Sequence, residues 1–147
     1  MKPRNLFVVL ATLAALGLAA CATPDRKPPP QSLYDRLGGK PAITAVVDDF
    51  VANVASDPRI NQQFANTDIP RLKRLLVEQI CAGTGGPCQY TGRDMRTAHA
   101  ELGVSGGEFN ALVEDLVRSL NKFKVPAQEQ KELLAVLGPM KTAIVTR

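Results

Sequence analysis

Residues 88–103 read CQYTGRDMRTAHAELG and contain His99, the single histidine of this 147-residue chain. After Tyr90-Thr91-Gly92, the segment Asp94 to Leu102 sets Met95, Ala98, His99 and Leu102 at steps of three and four residues, and Gly103 closes it. That spacing predicts a short amphipathic helix with the imidazole on its apolar face. A histidine so placed is either a core residue whose ring is satisfied by hydrogen bonds, the commoner case for a lone histidine, or a metal ligand. The sequence on either side has to decide between them.

Immediately upstream, Cys81 and Cys88 flank AGTGGP, a turn-forming segment able to fold the two together. In an oxidising compartment they would be bridged; the alternatives are two buried free thiols or a metal site. Zinc fits least, because Cys81, Cys88 and His99 lack the paired short spacings of closed zinc sites. Further upstream, a helix is expected from Pro41 to Ser56, with Ile43, Val46, Val47, Phe50 and Val54 on one face, ended by Asp57-Pro58. A second is expected from about Pro70 to Ala82, with Leu72, Leu75, Leu76, Gln79 and Ile80 inward and Gly83 at its end. Downstream, Ser105 and Glu108 form a capping box opening a long helix, with the stripe Phe109, Leu112, Val113, Leu116, Val117, Leu120 and Phe123. Pro126 begins a last helix with Leu133, Leu134, Leu137 and Ile144, kinked at Gly138-Pro139. No alternating strand pattern and no repeat occurs, so the fold class is all-α.

The first twenty residues differ from the rest. Lys2 and Arg4 precede an uncharged apolar run from Leu6 to Leu18, and small residues lead into Cys21. The run is too short to span a bilayer and reads as an export signal. Leu18-Ala19-Ala20-Cys21 resembles the lipobox of bacterial lipoproteins, in which cleavage leaves a lipidated cysteine; the alternative is a plain signal peptide with Cys21 a free thiol. The expected division is thus a signal peptide over 1–20, a lipidated Cys21 with a spacer to Gln31, and one domain over 32–147. The spacer, ATPDRKPPPQ, holds four prolines and is expected to be extended and semi-rigid. The expected location is the periplasmic side of a bacterial membrane, with the lipid as sole membrane contact. With 45% hydrophobic and 22% charged residues, the remainder suits one globular domain. Loss of Lys2 and Arg4 lowers the formal charge from +4 to +2, so no nucleic-acid partner is inferred.

The stretches LYDRLGGKPAITAVVDDFVANVASDPRINQQFANTD and GTGGPCQYTGRDMRTAH, with the final helix pair, resemble the group 1 truncated haemoglobins. The resemblance spans Leu33 to Val145. Its most specific parts are Gly38-Gly39, Phe64 ahead of the Asn66-Thr67-Asp68 turn, Gly85-Gly86-Pro87, Tyr90-Thr91-Gly92, and Met95 four residues before His99. It implies a two-over-two helical sandwich holding haem b between its layers. On that resemblance His99 is the proximal iron ligand and Phe64 packs on the haem face. Tyr90, Arg93 and Met95 line the haem edge, where Arg93 is placed to pair with a propionate. No Cys-x-x-Cys-His precedes the haem ligand, so c-type attachment is not indicated.

The distal side departs from the family. Where relatives carry a tyrosine after the residue matching Phe50, this chain has Val51, and the family's distal glutamine corresponds to Leu76. The inferred wall of Phe50, Val51, Phe64, Leu72 and Leu76 has no donor, and Gln79 and Gln63 are the nearest candidates. The expected function is a gas-binding haem protein taking oxygen, nitric oxide or carbon monoxide. A haem redox enzyme, dioxygenase or peroxidase-like, is the alternative and would need an external reductase; a haem-free interaction lipoprotein is a third.

Overall fold

The structure, a computed structural model, describes residues 30–147. The expected signal peptide, Cys21 and most of the spacer lie outside the described residues. Within them every regular element is helical, as the periodicity requires.

Helix α1 (Leu33–Arg36) is opened by a reciprocal capping box in which the Asp35 N–H donates to Ser32 Oγ and the Asp35 carboxylate accepts from the Ser32 N–H. Gly38 and Gly39 follow at φ +88° and +69°, and a Cβ on Gly38 would lie 2.9 Å from that of Ala42. A side-chain-bearing residue at Gly38 would therefore be both strained and crowded. The turn launches α2 (Gly39–Ser56), the centre of the fold. Ile43, Val46, Val47, Phe50, Val51 and Val54 are all buried along it, so packing rather than the modest helix propensity of β-branched residues holds this helix.

Helix α3 (Ile69–Gly83) and helix α5 (Gly106–Lys122) both pack on α2. Asp68 caps α3, accepting the Arg71 N–H at 3.1 Å, and Ser105 with Glu108 caps α5 reciprocally, as expected from the sequence. The Ser105 hydroxyl, the Gln63 amide and the Ser105 N–H hold the Glu108 carboxyl down at about 2. Helix α6 (Ala127–Leu137) adds Leu133 to the core beside Leu120. At Gly138-Pro139 the chain passes through a 3-10 turn (Gly138–Met140) into α7 (Lys141–Ile144), which packs against α4 (Met95–His99). Helices α2 and α3 thus form one layer, and α5 with the broken α6–α7 pair the other.

The apolar residues form two clusters. The main one unites α2, α3, α5 and α6. The smaller comprises Val104, Phe109 and Ile144, with Met95, Val113, Met140 and Val145 against it. A polar seam crosses the α2–α5 interface: the Asn53 amide donates to Ser119 Oγ at 2.9 Å, the Ser119 hydroxyl donates to Asp49 Oδ2 at 2.9 Å, and Lys122 pairs with Asp49. Lys122 is the main reason the Asp49 carboxyl lies below its ordinary range. Asp115, fully buried, meets Arg118 at 3.0 Å, yet burial pushes its carboxyl up.

Three expectations are corrected. Helix α4 ends at His99, not Leu102. The Leu102 N–H donates to the His99 carbonyl, tightening the last turn, so Leu102 leaves the apolar stripe and is 44% exposed. Gly103, at φ +59°, then turns the chain so that Val104 reaches the smaller cluster instead. Phe123 lies just past the end of α5 and is exposed. On α3, Val77, Ile80 and Cys81 face the core, while Leu72, Leu75, Leu76 and Gln79 are half-buried on an adjoining face.

Candidate haem site

The site is built where the two apolar clusters adjoin. His99 stands at the end of α4, a helix capped by Asp94, whose carboxylate accepts the Thr97 N–H at 2.9 Å and the Thr97 hydroxyl at 2.6 Å. Its Nδ1 lies 2.7 Å from the Met95 carbonyl oxygen. A carbonyl only accepts, so Nδ1 carries the proton and Nε2 keeps its lone pair. A backbone carbonyl on one ring nitrogen is the means by which proteins orient the other toward a metal.

A haem needs apolar walls for its faces, a nitrogen donor and polar groups at its edge. Phe64, Leu72 and Leu76 are half-buried against the main cluster, of which Phe50 and Val51 are buried members. Met95, Val113, Met140 and Val145 lie against the smaller cluster. The donor chemistry and the apolar lining therefore fit. Two cavities lie elsewhere: one of about 20 Å³ inside the core, lined by Leu37, Ile43 and Leu133 among others, and a polar one of about 240 Å³ beside Asp57, Arg59 and Arg118. Neither touches these residues. Among the described residues no group of three or more His, Cys, Asp and Glu is arranged to hold a metal ion.

The segment between α3 and α4 is tightly fastened. A disulfide joins Cys81 to Cys88, with Cα atoms 5.7 Å apart. Its sulfur and the Tyr34 ring leave no room beside Gly86, where a Cβ would approach them to 2.7 and 2.5 Å. Glu78 accepts both the N–H and the hydroxyl of Thr91, at 3.1 and 2.7 Å, and these bonds with Arg74 hold its carboxyl below the ordinary range. The Tyr90 hydroxyl donates to the Arg93 carbonyl at 2.8 Å, its ring occupying the space a Cβ on Gly92 would need. Burial pushes the Tyr90 phenol up. Arg93 itself is exposed beside this turn.

Glu78 was not singled out from the sequence; its signal was only its spacing, one turn after Arg74. The two candidate distal donors are engaged elsewhere. The Gln63 amide donates to Glu108 Oε1 at 2.9 Å, and the Gln79 amide to the sulfurs of Met95 and Met140 at 3.5 and 3.2 Å.

A helical sandwich that carries one oriented imidazole is the arrangement of a haem globin of the two-over-two type. The family model of bacterial-like globins matches residues 32–146. A group 1 truncated hemoglobin of Mycolicibacterium paratuberculosis is 35% identical over 121 residues, covering 82% of this chain and 89% of that protein. One from Synechocystis is 37% identical, covering 73% and 90%. Among solved structures, the Fe(III) form of the Tetrahymena pyriformis truncated hemoglobin superposes with a TM-score of 0.76 at 27% identity, covering 80% of this chain and all of that one. The chain belongs to the bacterial-like globins, as a truncated haemoglobin of group 1.

The disulfide gives a stability prediction. Closing a loop of sequence separation 7 stabilises by about 2–3 kcal/mol through the unfolded chain. Replacing Cys81 and Cys88 together by Ser should lower the denaturant midpoint accordingly, read by far-UV circular dichroism. An unchanged midpoint would mean that Glu78, Thr91 and Tyr90 hold the turn alone.

Proposed function

We propose that this domain binds haem b through His99 and reversibly takes up a diatomic gas in an apolar distal pocket, on a membrane-tethered chain. One observation carries the reading: Nδ1 of the only histidine is committed to the Met95 carbonyl at 2.7 Å, which leaves Nε2 as the donor to iron. Haem, when bound, supplies an iron with one position open to a small gas.

The chain's own residues do the rest. The Met95 carbonyl holds the imidazole in one tautomer and one orientation. Phe50, Val51, Phe64, Leu72 and Leu76 exclude water and offer no hydrogen-bond donor on the gas side. Dioxygen gains negative charge on binding and is stabilised by a donor, whereas carbon monoxide gains little. Lacking that hydrogen bond costs oxygen on the order of 1–3 kcal/mol, which favours rapid exchange over storage.

Replacing His99 by Ala should leave a folded helical protein that loses its Soret band, with added imidazole restoring part of it. A variant that kept the full reduced spectrum would refute the ligand assignment. Val51→Tyr should slow oxygen release about tenfold, the worth of one hydrogen bond near 1.4 kcal/mol, while carbon monoxide release changes far less; stopped-flow measurement of both gases checks it. Oxygen release already slow before substitution would mean that another donor reaches the pocket.

The tether is proposed from Leu18-Ala19-Ala20-Cys21 after the apolar run. Cys21→Ser should abolish incorporation of labelled fatty acid and release the protein from membranes. Label persisting in the variant would reject the lipid attachment.

A further inference from the structure

Gln79 lies on α3, three residues beyond Leu76, and is half-buried between the two apolar clusters. Its amide nitrogen has two N–H groups, and two thioether sulfurs stand within reach: Met95 at 3.5 Å and Met140 at 3.2 Å. These belong to different elements, Met95 to α4 and Met140 to the turn leading into α7, which itself packs on α4. Met95 is also the residue whose carbonyl holds His99 Nδ1. One short path therefore runs from the Gln79 amide through the Met95 side chain and backbone to the imidazole. The Gln79 amide nitrogen is thus engaged by the two sulfurs.

We propose that Gln79 is a positioning residue for the His99 imidazole, acting through Met95, and not a hydrogen-bond donor to the bound gas. The inference rests on the haem reading above. A thioether is a weak acceptor whose soft sulfur packs equally well without a donor. What an amide adds is direction: it fixes the Met95 rotamer and so limits the rocking of α4, whose five residues cannot hold their own axis. Haem retention and the iron–imidazole bond are the properties that such rocking would disturb.

The test uses the haem-loaded full chain with Gln79→Leu, which keeps bulk and deletes both donors, Met95→Leu, which deletes one acceptor, and the double variant. Three quantities are read: the iron–imidazole Raman band of the reduced protein, the rate of haem transfer to an apomyoglobin acceptor, and the release rates of oxygen and carbon monoxide. Gln79→Leu should shift the Raman band and speed haem loss about three- to tenfold. Met95→Leu should do the same, and the double variant should add little to either, because both remove one shared contact. The ratio of oxygen to carbon monoxide release should hold.

An unshifted band with unchanged haem loss, or full additivity in the double variant, would overturn the inference. So would faster oxygen release alone, which would make Gln79 a donor to the gas. Should Gln79→Leu not fold, an unshifted band in Met95→Leu is enough to refute it. A wild-type chain that takes up no haem at all would fail at the earlier step and take this inference with it.

Discussion

A helix of five residues carries the histidine, and a helix of five residues does not stand alone in water. Everything the site can do depends on how α4 is held. Asp94 caps its start, Glu78 grips Thr91, Tyr90 locks Arg93, and the disulfide closes the chain behind them. On the far side α7 lies against it, and Gln79 reaches across from α3. No single contact here is large, but they surround one short element from several directions. The imidazole is consequently placed by the whole of 78–99, not by its own helix.

The buried seam between α2 and α5 serves the same end at a distance. Asp49, Asn53 and Ser119 are joined by hydrogen bonds between helices that otherwise meet through interchangeable aliphatic side chains. Apolar packing tolerates sliding by a turn, whereas a directional pair does not. Since α2 carries Phe50 and Val51 and α5 carries Phe109 and Val113, fixing their register fixes the spacing between these apolar side chains. One turn before Ser119 on α5, Asp115 is buried beside Arg118 with neither carboxylate oxygen hydrogen-bonded.

Much of this was legible in the sequence. The long helices announce themselves through three- and four-residue spacing, prolines in first turns and the Ser105–Glu108 box, because burial of one face dominates there. Short elements were read less well. The spacing carries α4 three residues too far, since periodicity shows a face but cannot show that a carbonyl at His99 closes a tighter turn. Leu102 and Phe123 went astray for that reason, both standing just past a helix end. Tyr90 and Gly92 were read for their part in a resemblance, yet their interlock of ring, α-carbon and carbonyl is a three-dimensional fit that no spacing encodes. Gln79 and its two acceptors lie on three separate elements, a grouping with no linear signal.

The first turn of the domain has a geometric outcome for the whole molecule. The Tyr34 N–H donates to the Thr84 carbonyl at 2.9 Å, and Ser32 sits against Gly85. Whatever chain precedes Ser32 therefore leaves the domain beside the turn at the end of α3. That helix has 15 residues, about 22 Å at the usual rise, and Phe64 lies just before its opposite end. A pull applied through the residues just before Ser32 is thus delivered to the disulfide-bonded corner, and the Phe64 corner stands roughly a helix length away from it.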